Sequence, residues 1–450
     1  MTANAVARTT TARPATVAPG TSRGLWWFHP AGVILAVVPL SLLLAVRTSD
    51  RTFRLLYNTP RSLTSGQSLL FLAAGMLLLL GCLLPLALRA PRAMTTWPGL
   101  TERQLDRVER ASTVCFRLTV VGYVAFGAAG IARGVTPTQL FGVITAQDTY
   151  SASLKQAFVP VPGITSLTQV GMAYVVLAGL LLVSGRSGVR RRLTIVLLLG
   201  TLRAFFLTER LAVLELVVPL VALLALGRHQ RPGAGWLKAA PLLALPLVVV
   251  VFGVFEYSRS WVYFRSRTTS SYPGFVIDRL AGYYATAYNN GSVQLLHTDR
   301  EGRLPYASIE ALWTAPGVAQ LGLYDRLSAG GAPGSFQTLL EQYATPEFNN
   351  PGGLAVPLVD FGVVGGLVAF LVVGVLVGLC YRGFRQGSPL GLVLYPLVFT
   401  GLLELPRYFY WGQGRLVPAV VALVVAAVYL KRAPGATAVP PPARSLVGAP

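Results

Sequence analysis

The chain has 450 residues, of which 53% are hydrophobic and only 12% charged, and its mean hydropathy is +0.58. A water-soluble domain carries about a quarter charged residues, so this composition excludes an ordinary soluble globular protein. The formal net charge of +21 would point to nucleic acid in a soluble chain. Here the basic residues fall in short loops between apolar runs, where they set topology and meet anionic headgroups, and no nucleic-acid partner is expected.

Residues 1–29 are Thr/Ala/Pro-rich with Arg8, Arg13 and Arg23 and read as a disordered cytoplasmic segment. No small-residue cleavage site follows the first apolar run, which leads straight into Arg47–Arg54, so that run reads as an uncleaved span. Ten transmembrane helices are predicted, near 30–46, 67–88, 113–133, 164–184, 193–207, 211–227, 239–257, 354–381, 388–404 and 414–430. Most are long enough to cross roughly 30 Å of hydrocarbon. The fold class is therefore all-α, a polytopic membrane bundle with spans one to seven in 30–257 and eight to ten in 354–432. The tail 433–450 is Pro/Ala-rich and reads as disordered.

Arginines crowd the loops 89–112, 185–192 and 228–238. The positive-inside rule puts these loops and both termini in the cytoplasm, although loop 47–66 with Arg47, Arg51, Arg54 and Arg61 dissents. Segment 258–353 then lies outside. Its arginines and tyrosines are interleaved, and Ile309–Trp313 and Phe336–Tyr343 read as short amphipathic helices. Asn290-Gly291-Ser292 reads as a turn. All seven tryptophans lie at span ends or in loops, as amphipathic rings prefer, and Cys82, Cys115 and Cys380 read as packing residues.

Leu193–Leu207 is about 22 Å long as a helix, short of the full hydrocarbon thickness. The turn Thr208-Glu209-Arg210 that follows it should sit below the outer surface, where charges have a partner or a task. Arg203 and Glu215, about six residues either side of the apex, are expected to pair. Arg210 is a candidate ligand contact, and Arg259, Arg265 and Arg267 after span seven could join it in a cluster. A planar guanidinium bonds phosphate oxygens with two parallel donors. At the mouth of span eight stands Asp360-Phe361-Gly362, followed by Gly362-x-x-x-Gly366 and Gly374-x-x-x-Gly378, spacings that let helices approach closely. His297 is the outer-face histidine. No Walker A motif, H-E-x-x-H or Cys/His cluster occurs, and Asp50 is the only acid in the first outer loop, so no metal or other cofactor is expected.

Taken together, residues 160–430 resemble the O-antigen polymerase family, the oligosaccharide repeat-unit polymerases. The resemblance rests on Pro162-Gly163-Ile164-Thr165-Ser166-Leu167-Thr168, on Thr208-Glu209-Arg210-Leu211, and on Tyr283-Tyr284 through Asn289-Asn290. Asn349-Asn350-Pro351-Gly352-Gly353 and Val359-Asp360-Phe361-Gly362 complete it. The order and topological placement of these segments carry the weight. Glu209 stands where the family often has Ser or Thr, which puts its role in doubt. The resemblance implies a metal-independent glycosyltransferase of the bacterial cytoplasmic membrane. Its substrate would be an oligosaccharide on polyprenyl pyrophosphate, and its product a longer surface polysaccharide. A flippase and a chain-length regulator would be partners beside the membrane lipids. Arginines would stabilise the leaving pyrophosphate. With the pyrophosphate and glycan the resemblance associates Arg203, Arg210, Arg259, Arg265, Arg267, Arg279, Tyr283, Tyr284, Asn289 and Arg407. Glu209, His297, Glu341 and Asp360 are candidates for the base that receives the acceptor proton. A ligase-like transferase to another acceptor and a non-enzymatic transporter or flippase remain as alternatives, though no internal repeat of the transporter kind is found.

Overall fold

The computed structural model describes residues 24–88, 97, 99–144, 154, 157–158, 161, 163–207, 209, 211–229, 233–257, 261, 265, 271–331 and 334–431. Among these residues the structure is all helical. In hydrocarbon every backbone N–H and C=O must find a partner inside its own segment, which is why each long apolar run is a helix. Eight helices are long and apolar enough to cross a membrane: Pro30–Arg47, Ser65–Leu88, Glu102–Ala132, Ile164–Val183, Leu211–His229, Gly235–Val254, Val356–Arg385 and Gly414–Lys431. The other two predicted spans are the shorter helices Arg190–Phe206 and Pro389–Glu404. The chain is a multi-pass membrane protein.

In chain order the helices are α1 (Pro30–Arg47), α2 (Asp50–Leu56), α3 (Ser65–Leu88), α4 (Glu102–Ala132), α5 (Pro137–Ile144), α6 (Ile164–Val183), α7 (Arg190–Phe206), α8 (Leu211–His229) and α9 (Ala240–Glu256). The large loop holds α10 (Tyr272–His297), α11 (Glu310–Trp313), α12 (Leu323–Leu327) and α13 (Phe336–Tyr343), and α14 (Val356–Arg385), α15 (Pro389–Glu404) and α16 (Val417–Lys431) close the chain. Local signals fix several starts. Thr101 and Gln104 form a capping box before α4, and Ser388 caps α15, which has a proline in its first turn.

Two packing centres organise the bundle. Helix α6 is the most enclosed, surrounded by α4, α8 and α16. Helices α3 and α14 pack along Gly81 and Gly374; a Cβ on Gly374 would lie 2.9 Å from the Gly81 Cα. The expected close approach at Gly374-x-x-x-Gly378 is therefore a real helix–helix contact. The earlier pair behaves differently. Gly362 has φ +75° and ψ 173°, a conformation that L side chains rarely adopt, and it breaks α14 after its first turn and a half. Gly366 packs against Leu358 of that same short segment, so Gly362-x-x-x-Gly366 folds one helix back on itself.

Three expectations are corrected here. Residues 24–29 are ordered: Trp26–Phe28 form a 3-10 turn, and the Phe28 ring packs 5.3 Å from Phe384 and 5.0 Å from Tyr395; residues 1–23 and 432–450 lie outside the described residues. The large loop holds, besides its short helices, the 26-residue α10, which packs against α1 and α9. Asn290-Gly291-Ser292 lies inside α10. Glycine is needed there because a Cβ would lie 2.7 Å from that of Ala355, and Asn290 donates to the carbonyls of Phe348 (2.6 Å) and Asn350 (3.0 Å).

Candidate functional site

At the end of the bundle that carries the large loop, the structure opens into a crevice of about 590 Å³, a volume typical of small-ligand sites. One wall is the C-terminal end of α10 and the chain after it, with Gln294, His297, Asp299, Arg303 and Tyr306. A second is α13, through Phe336, Leu339 and Gln342. The first turn of α14 contributes Val356 and Asp360, α11 contributes Glu310, and the connector between α15 and α16 contributes Phe409 and Gln413.

Local structure holds each group in place. The break at Gly362 ends the short segment that carries Asp360, whose carboxylate accepts from the Ser308 N–H. Arg303 donates from Nε to the Gly330 carbonyl (3.2 Å) and from Nη1 to the Asp299 carbonyl (2.9 Å). Its guanidinium is thus directed at backbone oxygens. Glu310 is half-buried and has no side-chain hydrogen bond or ion pair among the described residues; burial pushes its carboxyl above the usual carboxylate range. Burial likewise pushes the Tyr306 hydroxyl up. His297 sits at the rim, stacked on Tyr343 with ring centroids 3.7 Å apart and planes 9° apart. The Gln413 Oε1 is buried and has no donor among the described residues. A smaller cavity of about 30 Å³ adjoins, shared by Arg300, Arg303 and Asp360.

Several other sequence-predicted residues are distributed over four ionic clusters. Arg203 does not meet Glu215, contrary to expectation. It pairs with Glu209 at the hairpin turn, through Nε at 3.0 Å and Nη2 at 2.7 Å, and donates to Thr168 Oγ1 at 3.0 Å. Glu215 is instead held by Arg415 at 2.8 Å and by the Tyr410 hydroxyl at 3.0 Å. Glu209 in the hairpin turn takes Arg203 as its partner, while Arg415, in the 3-10 turn Gly414–Leu416 before α16, supplies the cation for Glu215. Arg279 is fully buried in α10, between Glu256 (3.4 Å) and Glu347 (2.5 Å), its guanidinium 4.5 Å from the Phe348 ring centroid. Arg407 pairs with Glu404 at 2.9 Å and donates to Asn350 at 3.3 Å, beside the rings of Tyr283 and Tyr408.

Other candidates are placed away from the crevice. Asn289 clamps α10 to the chain before α3, accepting from the N–H groups of Ser62 (2.6 Å) and Leu63 (3.2 Å) and donating to Pro60. Tyr284 is half-buried in α10, and Glu341 lies on α13 outside the crevice, accepting from Gln337 at 3.1 Å. Arg265 is exposed. Arg210, Arg259 and Arg267 lie outside the described residues. Of the expected catalytic groups, the crevice brings together His297 and Asp360. Sequence reasoning missed Glu310, Arg303, Gln413 and Arg415. Glu310 stands in the stretch marked as an amphipathic helix, and Arg415 is the one charge at the start of span ten, where a partner is expected on energetic grounds. Among the described residues no three His, Cys, Asp or Glu side chains gather to hold a metal ion. Compared with known proteins, the chain matches no family model, no curated protein and no solved structure.

Proposed function

We propose that this chain is a polymerase-type glycosyltransferase of the bacterial cytoplasmic membrane, acting on the outer face. It would join polyprenyl-pyrophosphate-linked oligosaccharide units for surface polysaccharide. The observation that supports this reading best is the crevice itself: a site lined by carboxylates and apolar side chains at the ends of membrane helices, where a lipid-linked sugar would present its saccharide. In this reading Asp360 takes the proton of the acceptor hydroxyl. The acceptor oxygen bonds to the anomeric carbon of the donor, whose bond to the pyrophosphate oxygen breaks, and the pyrophosphate leaves with the electron pair. Arg210 and Arg265 are assigned to its charge. Positive-inside counting favours both termini in the cytoplasm. A flippase would supply the substrate, and a chain-length regulator would be a companion.

The test is transfer in vitro, with purified protein in detergent and a polyprenyl-pyrophosphate oligosaccharide. Wild type should lengthen the lipid-linked glycan. Asp360→Asn, which keeps an acceptor for the Ser308 N–H, should lose roughly 100-fold or more in rate at unchanged folded yield. Full activity of that variant, or cysteine labelling that places residues 298–331 on the cytoplasmic side, would overturn the proposal.

A further inference from the structure

The crevice has an unbalanced lining. Asp299, Glu310 and Asp360 supply three carboxylates. Facing them are Arg303, with Nε and Nη1 already engaged by backbone carbonyls, and His297 at the rim, stacked on Tyr343. Arg300 opens only on the adjoining cavity, which is large enough for little more than a water molecule. Two acceptors are left open: among the described residues neither the buried Gln413 Oε1 nor the Glu310 carboxylate has a donor. Such a lining wants a ligand rich in O–H or N–H groups, and it repels an anion.

We propose that Glu310 makes the crevice select a saccharide unit without acidic groups, neutral or amino, against one that carries a carboxylate. The proposal rests on the glycan reading above and deepens it by naming the sugar class and the residue that sets it. Glu310 accepts a hydroxyl or ammonium donor of the bound sugar, supplying the hydrogen bond its own surroundings lack. A uronic-acid carboxylate in the same position faces Glu310 and Asp360 across a half-buried space, where like charges cost far more than in water.

The experiment measures binding and is independent of transfer. Purified protein in detergent is titrated at pH 7 with short oligosaccharides of neutral hexoses, of glucosamine and of galacturonic acid, and saturable binding is read by saturation-transfer NMR. Neutral and amino oligomers should bind at least roughly tenfold more tightly than the uronic one. Glu310→Gln, nearly isosteric, should shrink that ratio to roughly threefold or less, whereas Glu310→Asp should keep it. Uronic oligomers binding wild type as well as neutral ones, no saturable binding of any oligomer, or an unchanged ratio in Glu310→Gln would each overturn the proposal. A chain that shows the expected selectivity yet transfers no glycan would refute the polymerase reading and leave the selectivity standing.

Discussion

Replacing Arg279 by methionine separates two uses of a buried arginine. Its side chain is fully enclosed, as is that of Glu256 across from it, whereas Glu347 is 36% exposed. Removing the guanidinium takes a cation away from the buried Glu256 carboxylate, and breaking a buried pair in this way costs about 3–5 kcal/mol. Glu347 can turn to water, so its loss adds about 1 kcal/mol or less. The contact with the Phe348 ring adds about 0.5–2 kcal/mol. A total of roughly 4–8 kcal/mol corresponds to about 4–8 °C in a chain of this size. It falls on the α9–α10 junction, because α9 is otherwise the least enclosed span. The assay is thermal unfolding in detergent, followed by size exclusion. Arg279→Met combined with Glu256→Gln removes both charges of the buried pair and should recover part of the loss. If Arg279→Met melts within a degree or two of wild type but loses glycan transfer, the arginine contacts substrate and the structural account is wrong.

Two further outcomes are expected. Glu215→Ala and Arg415→Ala should each lower folded yield, because each leaves one charge of the Glu215–Arg415 pair without its partner; joint replacement by leucine should restore much of it. Additive losses across that cycle would show that the two do not interact in the folded chain. For Glu310, burial favours the protonated carboxyl in the folded state. The native state then binds more protons than the unfolded one just above the ordinary carboxylate value, and stability falls as pH rises through that window. Glu310→Gln should therefore melt higher than wild type at pH 7 and match it near pH 4; a variant that melts lower at pH 7 would contradict the burial argument.

Apolar length made the spans legible, since lipid leaves the backbone no option but the helix, and every predicted span carries one. Helix α10 was not legible by the same signal. Asp278, Arg279, Asn289, Asn290 and Gln294 depress its hydropathy, yet all are at least partly enclosed by α1, α9 and the chain around 348–351. Its apolar and polar residues face protein on most sides, so neither a span-length run nor a simple amphipathic stripe appears. Asn-Gly, a turn signal in isolation, became a close helix contact because Ala355 leaves room for nothing larger. Asp360 and His297 were legible as groups at the mouth of the bundle. Glu310 and Gln413 were not, because they reach the crevice through a turn and a connector separated by about a hundred residues of sequence, and only the packing of the loop against α14 brings them together.

The arginines give the more general lesson. Near a membrane boundary a fixed positive charge is costly, so an arginine cluster invites a ligand reading. In the structure each well-enclosed arginine at the loop-bearing end has its own carboxylate: Arg203 with Glu209, Arg279 with Glu256 and Glu347, Arg407 with Glu404, Arg415 with Glu215. These pairs neutralise one another and fix how the helix ends meet. What they leave over is acid. Among the described residues Glu310 has no cation, and the Asp360 carboxylate is held by a backbone N–H. A carboxylate without a cation, in a cavity open to a substrate, can accept a proton or a hydroxyl donor; a carboxylate already holding an arginine does neither without losing that pair. If the chain is the transferase proposed above, this charge balance puts its proton acceptor in the crevice of Asp360 and Glu310, and not among the paired arginines.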